Sequence, residues 1–262
     1  MQYIHNMRLG NRSKEILELM AAFSLEALDA AITLPRLYQL MSYPSERSFI
    51  KTTQLLEKSG LIQVKDSAEW VSALTSKGRS TTNNDFEPEQ LWGERWDGNW
   101  RLLSFDLPTS ASAERQALRR WLELYRFGRL QGSVWITPRD LGNWRALLND
   151  TGIDSKNSLT MRGTLGDGGD QSHFVDRAWN FKRINHAYDE YLKFVGLNRS
   201  FKPNTFKSWF LEESLLWKKA FSIDPFLPKD LWTPDMRSTY LGPNALKERN
   251  RLYRKWKTEL FE

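Results

Sequence analysis

The chain has no cysteine and only three histidines in 262 residues. Without thiols there are no disulfides and no thiolate metal sites, which fits a reducing interior. His5, His173 and His186 lie far apart and show no ligand spacing, so no metal site is expected from them. No apolar run approaches the ~20 residues that cross a bilayer, and the opening Met-Gln-Tyr-Ile-His-Asn lacks a charged start followed by an apolar stretch. A soluble, cytoplasmic chain with no membrane partner is the expectation. Gly-x-Ser-x-Gly, Walker and Rossmann patterns are also missing. Gly166-Asp-Gly-Gly-Asp170 has glycines suited to a phosphate cradle, but it lacks the Lys and its two aspartates repel phosphate. It reads as a loop between domains.

What the chain has in excess is tryptophan, with 12 residues. Much of the core must therefore be aromatic, and several indole N–H groups will need acceptors. The net charge of +6 is unevenly spread: residues 1–82 carry 10 Lys+Arg against 8 Asp+Glu, residues 83–170 carry 11 against 13, and residues 171–262 carry 17 against 11. This mostly C-terminal excess permits a polyanionic partner, nucleic acid or a phosphorylated ligand, without deciding the fold.

Residues 1–82 read as a winged helix-turn-helix domain. Ile16, Leu17, Met20, Phe23, Leu25 and Leu28 recur near helical spacing over 13–30, with Ser13 as a cap. A second helix covers 35–43 with Pro35 in its first turn, and a third runs from Pro44-Ser45-Glu46 to about Lys58 and stops at Gly60. Residues 61–64 and 70–74 read as a strand pair. On the third helix Phe49, Ile50, Thr53 and Leu56 face inward, while Arg47, Lys51, Gln54 and Lys58, spaced 4, 3 and 4, form one outward stripe. Such a stripe fits a major groove, where Arg and Gln read base edges and Lys meets phosphate; a solvated surface face is the plain alternative. Lys65 is the one cation of the expected wing, and Asp66 and Glu69 oppose it.

Residues 83–94 are polar and read as a linker. Over 95–165 the expected order is strand 100–105, helix 113–125, strands 128–131 and 133–137, helix 141–151 and strand 158–164, which is ferredoxin-like. Asp106 sits where the first strand ends. There a carboxylate could hold a metal, paired with its copy across a dimer axis, or finish a turn beside Arg115 and Arg119. A two-metal nuclease needs several converging carboxylates, and Asp106 is the only one of its strand, with Asp97 before it and Asp140 after the third strand.

After a loop over 166–173, residues 174–262 read as a helical domain. Its helices cover 174–195, 205–221 and 244–260, and Pro225, Pro228 and Pro234 restrict the segment between the last two to turns. Trp179, Trp209, Trp217 and Trp256 would build a core or dimer contact. The last helix carries Lys247, Arg249, Arg251, Arg254, Lys255 and Lys257 against Glu248 and Glu259. Arg251, Arg254 and Lys255 are candidates to meet DNA phosphates or to hold the phosphates of a CoA-type ligand; otherwise the run is a solvated face.

Trp96-Asp-Gly-Asn-Trp-Arg-Leu-Leu-Ser-Phe-Asp-Leu-Pro108, then Arg115 and Leu118-Arg119, then Phe127-Gly-Arg-Leu-Gln-Gly-Ser-Val-Trp-Ile-Thr-Pro138 resemble the central segment of the PaaX family, repressors of phenylacetic acid degradation. Asp224-Pro-Phe-Leu-Pro-Lys-Asp-Leu resembles the family's C-terminal Asp-Pro-x-Leu-Pro segment. The resemblance implies an α+β chain with a winged helix-turn-helix domain, a central ferredoxin-like (Cas2-like) domain and a C-terminal helical domain. It implies a non-enzymatic, homodimeric transcription repressor that binds double-stranded operator DNA and is released by an aryl-CoA thioester, with no other cofactor. Arg47, Lys51, Gln54, Lys58 and Lys65 are then the DNA-binding residues. The central unit is similar to Cas2, in which an aspartate matching Asp106 is linked to metal-dependent nuclease activity in some members. The family tends to place arginines where this chain has Ile50 and Leu55, and its wing is usually more basic. Two other readings therefore stand beside the repressor: a Cas2-like adaptor without operator recognition, and a nuclease using Asp106.

Overall fold

The computed structural model describes residues 9–23, 32–41, 43–66, 71–82, 88–108, 110–140, 142, 155–166, 169–197 and 205–261. Helix α1 (Asn11–Phe23) buries Ile16, Leu17, Leu19 and Met20; the part of the expected helix beyond residue 23 lies outside the described residues. Strand β1 (Ile32–Thr33) leads directly into α2 (Leu34–Leu40), whose Pro35 occupies the first turn, where no amide is needed. Helix α3 (Glu46–Lys58) starts at Ser45, whose side chain accepts from the Ser48 N–H at 3.2 Å, and is followed by Gly60 at a left-handed φ of 69°. Strands β2 (Ile62–Asp66) and β3 (Val71–Leu74) pair antiparallel with a bulge between Val64 and Asp66, and β1 joins the far side of β3. The sheet order is β1-β3-β2. Two residues before a proline carry no readable periodicity, so β1 was not legible in the sequence. Helix α4 (Ser76–Thr81) follows.

Within residues 83–94, Pro88–Gly93 forms α5, and its Trp92 is buried with ring centroids 5.9 Å from Phe226, 6.4 Å from Trp232 and 6.0 Å from Tyr240. Strand β4 (Trp100–Phe105), helix α6 (Ser112–Leu124), strands β5 (Gly128–Gln131) and β6 (Val134–Thr137) and strand β7 (Ser158–Gly163) build an antiparallel sheet of order β5-β6-β4-β7. The helix expected over 141–151 lies outside the described residues apart from Gly142. On one sheet face Leu103, Phe105 and Trp135 pack against Leu118 and Leu122 of α6 and against Phe127. Each such side chain contributes roughly 1.5–3 kcal/mol on burial. On the other face Leu102, Ser104 and Val134 are half-buried, and Leu159 and Met161 of the edge strand β7 are both 57 % exposed.

Helices α7 (Gln171–Ala178) and α8 (Phe181–Leu197) replace the single helix expected from 174 to 195. The break falls at Trp179, which is extended and buried, its ring 6.1 Å from Trp100; the Asn180 side chain then accepts from the Arg183 N–H at 3.0 Å. Inserting an indole into the sheet packing overrides a continuous helical period, and spacing alone cannot show it. Asp170, the last residue of the glycine-rich loop, caps α7 by accepting from the Ser172 N–H at 2.8 Å; residues 167–168 lie outside the described residues. Helices α9 (Phe206–Ile223), α10 (Pro234–Thr239) and α11 (Gly242–Phe261) complete the chain. No helix among the described residues is long and apolar enough to cross a membrane.

The chain gathers into two compact units, Met1–Glu87 with Tyr191–Leu215 and Asn244–Glu262, and Pro88–Glu190 with Leu216–Pro243. Residues 174–262 are shared between the two. In the second unit Asp224 to Pro228 is locked in place. The buried Asp224 carboxylate accepts from the Tyr188 hydroxyl at 2.7 Å, from the Tyr240 hydroxyl, and from the Phe226 N–H at 2.8 Å. Burial pushes its pKa up, against the pull of those hydrogen bonds. Arg139 donates to the carbonyls of Pro225, at 2.8 Å, and Phe226, and Arg126 donates to those of Phe221, at 2.8 Å, and Ser222.

Candidate nucleic-acid interface

Helix α3 is fixed from below. Phe49, Thr53 and Leu56 are buried, and the Phe49 ring lies 5.6 Å from Tyr38 and 5.2 Å from Tyr43. The Tyr43 hydroxyl donates to Thr52 Oγ1 at 3.1 Å, and Thr52 Oγ1 donates to the Ser48 carbonyl at 2.9 Å. Ile50, expected inward, is half-buried.

The outward stripe is where the spacing places it. Arg47, Lys51, Gln54 and Lys58 are all exposed, and none of their side chains has a hydrogen bond or ion pair with a described residue. Three cations and an amide held in line on a rigid helix, with no partner to surrender among the described residues, suit an anionic groove. Lys65 is exposed on β2; Glu69 and the rest of 67–70 lie outside the described residues. Sequence reasoning missed two basic neighbours. Arg12 of α1 lies over the Tyr43 ring at 5.2 Å, and Lys77 of α4 donates to the Ser59 carbonyl, just past α3, at 2.9 Å. Neither has a sequence signal, because each depends on contacts between distant segments.

The basic run of α11 is divided by the fold. Arg251, Arg254 and Lys255 are exposed, but Arg251 pairs with Glu248 at 2.8 Å and Lys255 with Glu259 at 3.5 Å. Arg249 leaves the run altogether: it is buried, its Nε donates to Glu213 Oε1 at 2.8 Å, and its guanidinium lies 4.9 Å from the Tyr253 ring centroid. Tyr191 and Tyr253 donate to the same carboxylate at 2.8 and 2.6 Å. Burial opposes the charge on Arg249, but Glu213 outweighs it and raises the guanidinium pKa. Burial, then the charge of Glu213, pushes both phenols well above their usual value.

Asp106 stands exposed at the end of β4, where its N–H donates to the Asn157 carbonyl at 3.0 Å. Arg115 donates to the carbonyls of Leu107 and Pro108, at 3.0 and 2.7 Å, and so braces the chain beyond Asp106. Asp97 is held by Arg101 through two hydrogen bonds of 2.7 and 2.6 Å and by Arg162 at 3.0 Å. The Arg101 hydrogen bond, opposed by some burial, holds the Asp97 carboxyl well below the usual carboxylate range. Asp140 lies 3.3 Å from Arg101 and accepts from the Gly142 N–H at 2.9 Å, which is the main cause of its lowered pKa. Among the described residues no three His, Cys, Asp or Glu are grouped to hold a metal. His173 and His186 are exposed on different helices, and His5 lies outside the described residues.

A family profile described as the PaaX protein central Cas2-like domain matches residues 93–175, which supports the PaaX resemblance drawn from the motifs. No curated protein matches the chain. A solved structure, the uncharacterized protein Rv0674 from Mycobacterium tuberculosis, is similar over 90 % of this chain and 93 % of its own, with a TM-score of 0.64 and 17 % identity. At that identity the likeness speaks for the fold.

Proposed function

We propose that this chain, which carries the PaaX central Cas2-like domain, is a non-enzymatic DNA-binding transcription repressor of the cytoplasm. The observation that carries the reading is the exposed Arg47, Lys51, Gln54 and Lys58 stripe on α3, whose side chains have no partner among the described residues. That helix follows two others and precedes a hairpin, the order of a winged helix-turn-helix domain. In this reading α3 enters a major groove through Arg47, Lys51 and Gln54, Arg47 and Gln54 read base edges, and Lys58 and Lys65 approach phosphates. In this reading the second unit is ferredoxin-like, and the exposed Leu159 and Met161 of its edge strand β7 support pairing with a second copy. Two copies then present two α3 helices to a palindromic operator.

An aryl-CoA effector belongs to the proposal through the family resemblance, with Arg251, Arg254 and Lys255 as candidate phosphate contacts. Neutralising the three separates the alternatives: lost salt-dependent DNA affinity assigns them to DNA, and lost effector release with unchanged DNA binding assigns them to the ligand. Asp106 has no catalytic role in this reading. Cleavage of DNA or RNA with magnesium or manganese, abolished in a folded Asp106→Ala variant, would overturn that part.

The deciding experiment is binding-site selection from genomic DNA with the purified chain. One enriched palindrome is expected. A dimer that enriches no sequence would instead favour the Cas2-like adaptor, which draws on the same exposed Leu159 and Met161.

A further inference from the structure

We infer that Leu55 reads the C5-methyl group of a thymine, so that each operator half-site carries an A·T pair beneath the C-terminal half of α3. The inference rests on the assignment of α3 as the DNA-reading helix and deepens it. At 3.6 residues per turn, Arg47, Lys51 and Lys58 lie opposite the buried Phe49, Thr53 and Leu56. Gln54 and Leu55 flank that line on either side. Leu55 is 54 % exposed, one turn from both Lys51 and Lys58.

A single exposed leucine has no meaning by itself. Here, however, it adjoins a line of exposed cations with no side-chain partner among the described residues, so a duplex that meets Lys51 and Lys58 must also cover Leu55. In the major groove the base edges offer nitrogen and oxygen donors and acceptors and one apolar group, the thymine methyl. Packing Leu55 on any other edge would strip water from a polar group and return no hydrogen bond, which is unfavourable. On the opposite flank Gln54 has the paired donor and acceptor that match adenine N7 and N6. Both flanks therefore select A·T pairs, whereas an arginine at position 55 would select guanine.

The test replaces each thymine of the selected operator duplex with deoxyuridine, which removes the methyl and nothing else. For the wild-type chain one position per half-site should lose about fourfold in affinity, the value of one buried methyl group. Leu55→Ala should bind the thymine duplex more weakly and show no further loss with deoxyuridine, and Leu55→Met should keep the sensitivity. Because Leu55 is exposed, circular dichroism should find all three chains equally helical. If an operator is selected but no thymine replacement matters, or if Leu55→Ala keeps the full sensitivity, the inference is overturned while the DNA reading stands. If no operator is selected, the regulator reading fails first, and this inference with it.

Discussion

Arg126 and Phe226 are the two non-glycine residues with positive φ among those described, at 63° and 47°, and the Arg126 guanidinium lies 5.3 Å from the Phe226 ring centroid. Arg126 follows the end of α6, where Phe127 N–H donates to the Leu122 carbonyl at 2.9 Å, a position normally given to glycine. Its left-handed backbone costs about 1–2 kcal/mol. Its bonds to the Phe221 and Ser222 carbonyls, at the C-terminal end of α9, outweigh that cost. Arg126→Gly should therefore destabilise the protein, by about 2 kcal/mol, although it relieves strain. Urea unfolding reads this directly, and a stabilised variant would show that the anchor is worth less than the strain.

Gly128 is required for a different reason. A Cβ there would meet Trp179 Cε2 at 2.5 Å and Ala178 Cβ at 2.7 Å. Gly128→Ala should push the end of α7 and Trp179 from the sheet and cost roughly 1–3 kcal/mol, as overpacking does. A changed tryptophan fluorescence at unchanged helix content is the expected signature.

Glu213 and Arg249 form a buried pair that is worth little relative to an apolar substitute but much relative to a broken pair. Arg249→Met should destabilise by roughly 3–5 kcal/mol, because it strands a buried carboxylate. Adding Glu213→Leu should cost less than the sum of the two single changes, since the second removes the stranded charge. Simple additivity in the cycle would mean that the two charges do not interact.

The acid limb of stability should depend on Asp97. Its pKa is lower folded than unfolded, so its contribution is complete above the ordinary carboxylate value of about 4, begins to shrink below it, and is lost only as pH falls through the lowered folded value. Asp97→Asn should lower the urea midpoint at about pH 7, by a gap that holds down to about pH 4 and begins to narrow only below it. Asp224 has the opposite sign: its raised pKa means that its carboxylate becomes a burden as pH rises, so it does not account for an acid loss. Equal midpoints for Asp97→Asn and wild type at about pH 7, or a gap that closes well above about pH 4, would exclude the Arg101 clamp as the cause.

How much of this was legible in the sequence depends on the range of each contact. β4 at 100–105 and α3 up to Lys58 follow from local period and from the Ser45 and Gly60 signals, so the stripe could be read before its structure. Arg249 read as one more cation of a basic face, because its partner Glu213 is 36 residues away. Asp97 preceded the strand with no visible role, since the second arm of its clamp, Arg162, comes from β7. The Trp179 break in the helical pattern needed the sheet beneath it. Tertiary pairing decides such positions, and a one-dimensional period carries none of it.

On α3 itself, Arg47, Gln54 and Lys58 should separate by the kind of contact they make. A bidentate base contact carries about 1–3 kcal/mol of discrimination, so Arg47→Ala and Gln54→Ala should flatten the preference at particular operator positions. Lys58→Ala should weaken all duplexes alike and reduce the slope of log affinity against log salt by about one. Titrating each variant against the selected operator and a scrambled duplex at several salt concentrations measures both effects at once. If Arg47→Ala and Gln54→Ala leave the operator's advantage over the scrambled duplex intact, the specific contacts lie on another element, and the exposed stripe is a solvated face.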